Sequence, residues 1–172
     1  MFMGAAAILE FYRGGCDDEG RMLEDILSWP DEELEAVHNF IQWLFPLPER
    51  SGANPGAPVL DEATIEAFHR SPELQGRLRQ AFLRMMRFYG FVWRGGQVVP
   101  SEDFSQKAQN WLHPDNHNHL RLTRILRSLR ILGLETEMQA LFAALKEVYN
   151  GHSGSITSRT FDFWTRAADV SS

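Results

Sequence analysis

The sequence predicts an all-α fold, a single-domain bundle of about seven to eight helices with one small β-hairpin near residues 91–99. Three observations carry this. Apolar residues recur every three or four positions, as in Leu74, Leu78, Phe82, Met85 and Tyr89 and again in Leu122, Ile125, Leu126, Leu129 and Leu132. Breakers such as Gly14-Gly15, Pro46 to Pro58 and Gly133 fall between those stretches. Short β-prone runs are confined to the neighbourhood of Arg94-Gly95-Gly96-Gln97, a sequence suited to a hairpin turn. The chain has 172 residues, 44% hydrophobic and 12% aromatic. That is long enough to bury one core and too apolar for disorder. With no repeat, low-complexity tract or linker, residues 1–172 are expected to form one domain.

Each element has its own warrant. A first helix over about residues 4–12 should stop at Gly14-Gly15, and Arg21 to Ser28 should form a short helical segment. Pro30 precedes Asp31-Glu32-Glu33, acidic residues that suit a first turn. The expected helix carries Leu34, Val37, Ile41, Leu44 and Phe45 on one face and ends at Pro46. Asp61 should open a short helix, and Ser71-Pro72-Glu73 supplies an N-cap and a first-turn Pro for the helix ending at Gly90. Ser101 should start a helix through Trp111, and Asp115 or Asn116 should cap one running to Gly133. Helices over Glu135 to Asn150 and Thr157 to Ala168 complete the set.

Composition narrows the function classes. Formal net charge is -6, and all but two of the cations, Lys107 and Lys146, are Arg. An acidic molecule opposes broad nucleic-acid binding, and no nucleic-acid partner is expected. Cys16 is the only cysteine, so no internal disulfide can form, which suits a reducing compartment. The apolar run from Met1 to Leu9 lacks a basic flank and meets Glu10 too soon for a signal peptide or a membrane span. The chain is therefore expected to be intracellular and soluble, most simply cytoplasmic.

Two segments place polar residues inside apolar helices, His38 to Leu47 and His117 to Leu129. Six of their residues, His38, Gln42, His117, Asn118, Arg121 and Arg124, together with Trp43, are the candidate ligand-binding residues. His38 and Gln42 are four apart and should face the same way. Asn118 lies one turn before Leu122 on the apolar side, where an unpaired amide is costly. It belongs either to a buried polar seam or to a ligand site. Trp43 either packs under a second layer or offers an exposed anchor. The helix start near Asn118 and Arg121 resembles a weak anion cradle. Arg124 and Arg127 are read as opposite the Leu stripe, as a solvated face or a basic strip. His113, Asp115, His117 and His119 invite a metal or enzymatic alternative built on the His/Asn cluster at 113–119, but their spacing matches no zinc motif. No complete catalytic motif, cofactor or metal site is expected.

Several linked motifs resemble one family. Phe11-Tyr12-Arg13-Gly14 resembles its opening FYRG, Asn39 to Leu47 its YIQWLFPL, and the run ending Phe88-Tyr89-Gly90 its ML.FYG. Asn110-Trp111, His117-Asn118 and Leu120 to Leu129 resemble NW…HNNLRITRILKSL, and Gly133-Leu134-Glu135 resembles LGLE. His119 stands where that pattern has Asn. Over about residues 10–165, the chain thus resembles the opioid growth factor receptor conserved region. The resemblance implies an all-helical, non-catalytic binding module for a peptide or protein partner, with enkephalin-type peptides as the family's namesake ligands and nuclear association as a further expectation.

Overall fold

The computed structural model describes residues 4–169. Among them lie ten helices and one two-stranded antiparallel sheet. In chain order these are α1 (Ala6–Tyr12), α2 (Leu23–Leu27), α3 (Asp31–Ala36), α4 (Ile41–Leu44), α5 (Glu62–Arg70), α6 (Pro72–Tyr89), β1 (Phe91–Arg94), β2 (Gln97–Pro100), α7 (Phe104–Ala108), α8 (His117–Ile131), α9 (Glu135–Gly151) and α10 (Ser158–Ala167). The predominantly helical class and the hairpin agree with the sequence. The helix count is higher than expected because one predicted helix is split and several elements are short.

Two compact units divide the chain. The first gathers residues up to Ala81 with Ile131–Gly133. Its core is aromatic. Phe11 packs edge-on against Tyr12 and Trp43, and Tyr12 against Phe68, with ring centroids 5.1–5.7 Å apart. These edge-to-face pairs add to the stabilisation from burying their large surfaces. The Tyr12 hydroxyl donates to the Leu44 carbonyl, and burial pushes its phenol pKa far up. Ser71 accepts from the Leu74 amide and Pro72 opens α6, as the sequence predicts.

The predicted helix from Asp31 to Pro46 does not run through. α3 ends at Ala36, where Val37 turns to φ -90°, ψ 129°, and α4 begins only at Ile41. A contact from outside the segment accompanies the break. Arg21 is held by Asp17 at 2.7 Å and reaches across to Asn39, bonding its side-chain oxygen at 2.9 Å and its backbone carbonyl at 3.3 Å. The Asn39 carbonyl faces that guanidinium, and the Trp43 amide bonds the Phe40 carbonyl at 2.9 Å instead. β-branched Val37 also favours the extended backbone that it adopts.

The second unit holds Phe82–Arg130 and the chain from Leu134 onward. β1 and β2 pair with Arg94 opposite Gln97 and Phe91 opposite Pro100. Gly95 (φ 58°) and Gly96 (φ 78°) make the two-residue turn, the positive angles that a type I′ hairpin demands. Gly90 (φ 92°) ends α6 where any side chain would meet the Phe104 backbone, its Cβ only 3.0 Å from Phe104 Cα. The helix expected from Ser101 to Trp111 is shortened to Phe104–Ala108, since the Ser101 hydroxyl turns to the Gly90 carbonyl (2.9 Å) and to Asp103. Trp111, wholly buried, donates its indole N–H to the Tyr89 carbonyl at 3.1 Å. Trp164 of α10 donates to the His119 carbonyl at 3.0 Å, and Arg130 to the Ala167 carbonyl at 2.9 Å. On α9 and α10, Phe142 and Tyr149 both stack on Phe161.

Candidate functional site

The start of α8 is built from Asn residues with separate tasks. Asn116 is the cap: its Oδ1 accepts the Asn118 amide at 2.9 Å, and its Nδ2 donates to the Asn110 carbonyl at 3.2 Å. Asn118 is fully buried. Its Oδ1 accepts the Tyr89 hydroxyl at 3.3 Å and Nη1 of Arg121 at 3.4 Å. Arg121, one turn on, is itself only 6% exposed. The structure thus brings Asn118 and Arg121 together, inside the protein rather than at its surface.

α8 is buried on most of its circumference. Arg124 and Arg127 are half-buried, so the solvated arginine face that the sequence suggested is not there. The error is one of phase: a helix flanked by apolar partners on several sides has no freely exposed face to assign. What α8 does expose is His117 and Leu120, the latter 69% accessible.

In the other polar segment the residues part ways. His38 is exposed and precedes α4 instead of lying on a continuous helix with Gln42, so the expected shared face does not form. Gln42 is buried; its Nε2 lies 3.5 Å from the His38 carbonyl, and its Oε1 accepts from Asn54 at 3.4 Å. Trp43 is wholly buried, which selects second-layer packing over an exposed anchor, and its indole N–H has no hydrogen-bond partner.

The histidines near α8 do not converge. His113 Nε2 meets the Asn116 amide group at 3.3 Å, and His119 Nε2 meets the Trp111 carbonyl at 2.8 Å. Among the described residues no three His, Cys, Asp or Glu side chains are arranged to hold a metal ion. His119 is buried with its Nδ1 unpartnered, packed edge-on against Trp111 and Trp164. Burial holds its pKa below the ordinary imidazole value, with the Trp111 carbonyl opposing that shift. A neutral ring donating from Nε2–H satisfies the one bond on offer.

A surface depression of another kind lies elsewhere in the second unit. A cavity of about 340 Å³ opens between β2 and α9. One wall is residues 96–99, four in succession. Side chains of a strand alternate between faces, so consecutive lining residues mean that the cavity runs along the strand's edge. The other wall is Thr136, Gln139, Ala140, Ala143, Ala144 and Glu147, a single stripe at i, i+3, i+4 spacing. A smaller cavity of about 130 Å³ shares Ala144 and Glu147 and continues past Pro100 and Phe104 to His152. Glu147 belongs to both, is exposed, and makes no hydrogen bond or ion pair among the described residues.

Sequence reasoning missed this groove. Its parts are visible in the chain, a Gly-Gly hairpin and the alanines of α9. Nothing in periodicity announces that the hairpin lies along that alanine stripe, because the pairing is tertiary.

Comparison with known proteins places these features in a family. A profile described as "Opioid growth factor receptor (OGFr) conserved region" matches residues 4–168. The opioid growth factor receptor of Rattus norvegicus is 44% identical over 135 residues, 74% of this chain and 23% of that protein. The human receptor is likewise 44% identical, over 74% of this chain and 20% of its own length. Opioid growth factor receptor-like protein 1 of Mus musculus is 36% identical over 74% of this chain and 29% of its length. The chain thus spans less than a third of each of these relatives. No solved structure matches it.

Proposed function

Because the chain belongs to the opioid growth factor receptor conserved-region family, we propose that it is a non-catalytic binding module for a peptide or protein partner. The observation that carries this reading is the groove between β2 and α9, which is open, mixed in polarity, and lined by a carboxylate, Glu147, that makes no hydrogen bond or ion pair among the described residues. Clefts with apolar walls and few polar groups are the usual form of a recognition site. The names of these relatives, opioid growth factor receptors, support ligand binding as the family's business. The polar segments around Gln42, Trp43, Asn118 and Arg121 serve this reading as scaffold: their side chains are buried, and a ligand has no approach to them without displacing the core. His38 and His117 are the members of that set left at the surface. We place the protein inside the cell, in keeping with a lone cysteine that can form no internal disulfide. No described helix is long and apolar enough to cross a membrane.

Selection from a phage-displayed random peptide library against the purified chain tests the proposal. Enrichment of related sequences, followed by saturable binding in calorimetry, is the expected result. A library that returns no sequence above background through repeated rounds overturns it.

A further inference from the structure

We infer that His119 is an acid-operated latch: a proton taken up on its Nδ1 releases α10 from the start of α8. The inference concerns the conformation of the second unit and does not depend on what the groove takes.

His119 joins three pieces of that unit. Its Nε2 meets the Trp111 carbonyl at 2.8 Å, which ties α8 to the segment before it. Its own carbonyl accepts the Trp164 indole N–H at 3.0 Å, which ties α8 to α10. Its ring packs edge-on against both tryptophans, with centroids 6.4 Å from Trp111 and 5.7 Å from Trp164. The residue is 3% exposed, and Nδ1 has no hydrogen-bond partner. A neutral ring fits this place, because Nε2–H donates to Trp111 and Nδ1 needs only to keep its lone pair. A protonated ring does not fit. It brings a second N–H and a full charge to a buried position with no acceptor for either, and contact with the indole rings offsets only part of that cost. Moving α10 away breaks the Trp164 bond and opens the ring to solvent, where the second N–H is hydrated.

The neighbouring charges are mixed. His113 and His117 oppose a proton on His119, while Asp115 and the Trp111 carbonyl favour one. Both of those histidines stand at or just before the first turn of α8, where the positive end of the helix dipole disfavours added cations. From α10 the ring meets Trp164, and the charged residues of that helix, Arg159, Asp162 and Arg166, are exposed. Burial outweighs the rest and holds the docked pKa below the ordinary value. The released ring therefore binds its proton more tightly than the docked one. The released fraction grows as pH falls through about 6.5 and levels off below the docked pKa.

α10 is the element able to give way. Beyond Trp164, it is held by the Arg130 bond to the Ala167 carbonyl and by Phe161, stacked with Phe142 and Tyr149 of α9. A helix of ten residues can lose such ties while α8 and α9 stay formed. Release uncovers those rings together with Trp111 and Trp164, so the acid form presents an aromatic face that the neutral form hides.

Solvent exchange of the indole N–H protons, followed by NMR on the labelled whole chain and corrected with free tryptophan at each pH, tests the latch. Between pH 7.5 and 5, protection of the Trp164 indole N–H should fall by up to roughly tenfold per pH unit, with that of Trp43, in the first unit, unchanged. His119→Gln keeps an amide donor for the Trp111 carbonyl and cannot gain a charge, so the Trp164 response should vanish. His119→Asn is the second uncharged variant, used if the first does not fold. His113→Gln combined with His117→Gln should retain the response. A Trp164 signal equally protected at pH 7.5 and 5 overturns the inference, as does an acid response that survives the uncharged variants of His119. Trp43 losing protection in step with Trp164 overturns it too, since the whole fold rather than α10 would then be opening.

Discussion

Replacing Asn118 by Ala removes an acceptor that two donors share in a site closed to solvent. The carbonyl oxygen of the Asn118 side chain receives the Tyr89 hydroxyl at 3.3 Å and the Arg121 guanidinium at 3.4 Å. Both distances are long, so each bond belongs at the weak end of the range, about 0.5–1 kcal/mol. Emptying the amide's volume in a fully buried position adds up to roughly 1 kcal/mol, because the surroundings collapse only in part. The expected loss is therefore about 1–3 kcal/mol, read as a lower urea midpoint at unchanged m-value. Asn118→Asp retains the acceptor and places a carboxylate beside Arg121, so it should lose less than Asn118→Ala. Arg124→Ala is the comparison. The sequence alone assigns it a surface position and a cost below about 0.5 kcal/mol. The half-buried side chain raises the expectation to about 1 kcal/mol, from lost packing of its aliphatic stem. An Asn118→Ala protein within about 0.5 kcal/mol of wild type would refute the structural role given to this residue.

His119 should make the fold acid-sensitive. Its folded pKa lies below the ordinary value near 6.5, so as pH falls through that value the unfolded chain takes up the proton first. The stability contribution is complete above about pH 6.5 and declines as pH drops toward the folded pKa. His119→Asn, the residue of the family pattern, should flatten the melting temperature between pH 7 and 5 relative to wild type; parallel curves would contradict this. Gly90→Ala combines a left-handed backbone with a Cβ 3.0 Å from Phe104 Cα, and should cost at least about 2 kcal/mol by denaturation. A near-neutral result would mean that the α6–β1 junction is not held as described. We also propose that the two compact units form one domain, α6 being an element of both. Calorimetry should then show one transition whose calorimetric and van't Hoff enthalpies agree, and two resolved peaks would oppose it.

How much of this was legible in the sequence depended on whether the signal was local. The cap at Ser71, the helix start at Asp61, the cap offered by Asp115 or Asn116, which the structure gives to Asn116, and the Gly95-Gly96 turn are short-range chemistry, and the structure uses each of them. The burial of Asn118 followed from its phase against Leu122. The split between α3 and α4 was not readable, because the contact that accompanies it, Arg21 reaching Asn39, comes from eighteen residues away. The arginines of α8 were misplaced for a related reason. Periodicity shows which face is apolar, but whether the opposite face meets water is decided by other elements. The candidate site suffered most. Unusual polar residues attracted attention where they satisfy each other internally, and the groove is made of ordinary residues, Ala140, Ala143, Ala144 and Glu147, whose interest lies only in what packs beside them.

The central claim is that recognition occurs at the β2–α9 groove and that the polar segments are scaffold. Amide chemical-shift mapping by NMR, with a library-selected peptide titrated into the labelled whole chain, tests it most directly. The account predicts shifts concentrated at Gln97 to Val99 and along Ala140 to Glu147, with the amides of Gln42, Trp43, Asn118 and Arg121 unmoved. Shifts centred on those four residues instead, with the groove silent, would contradict it.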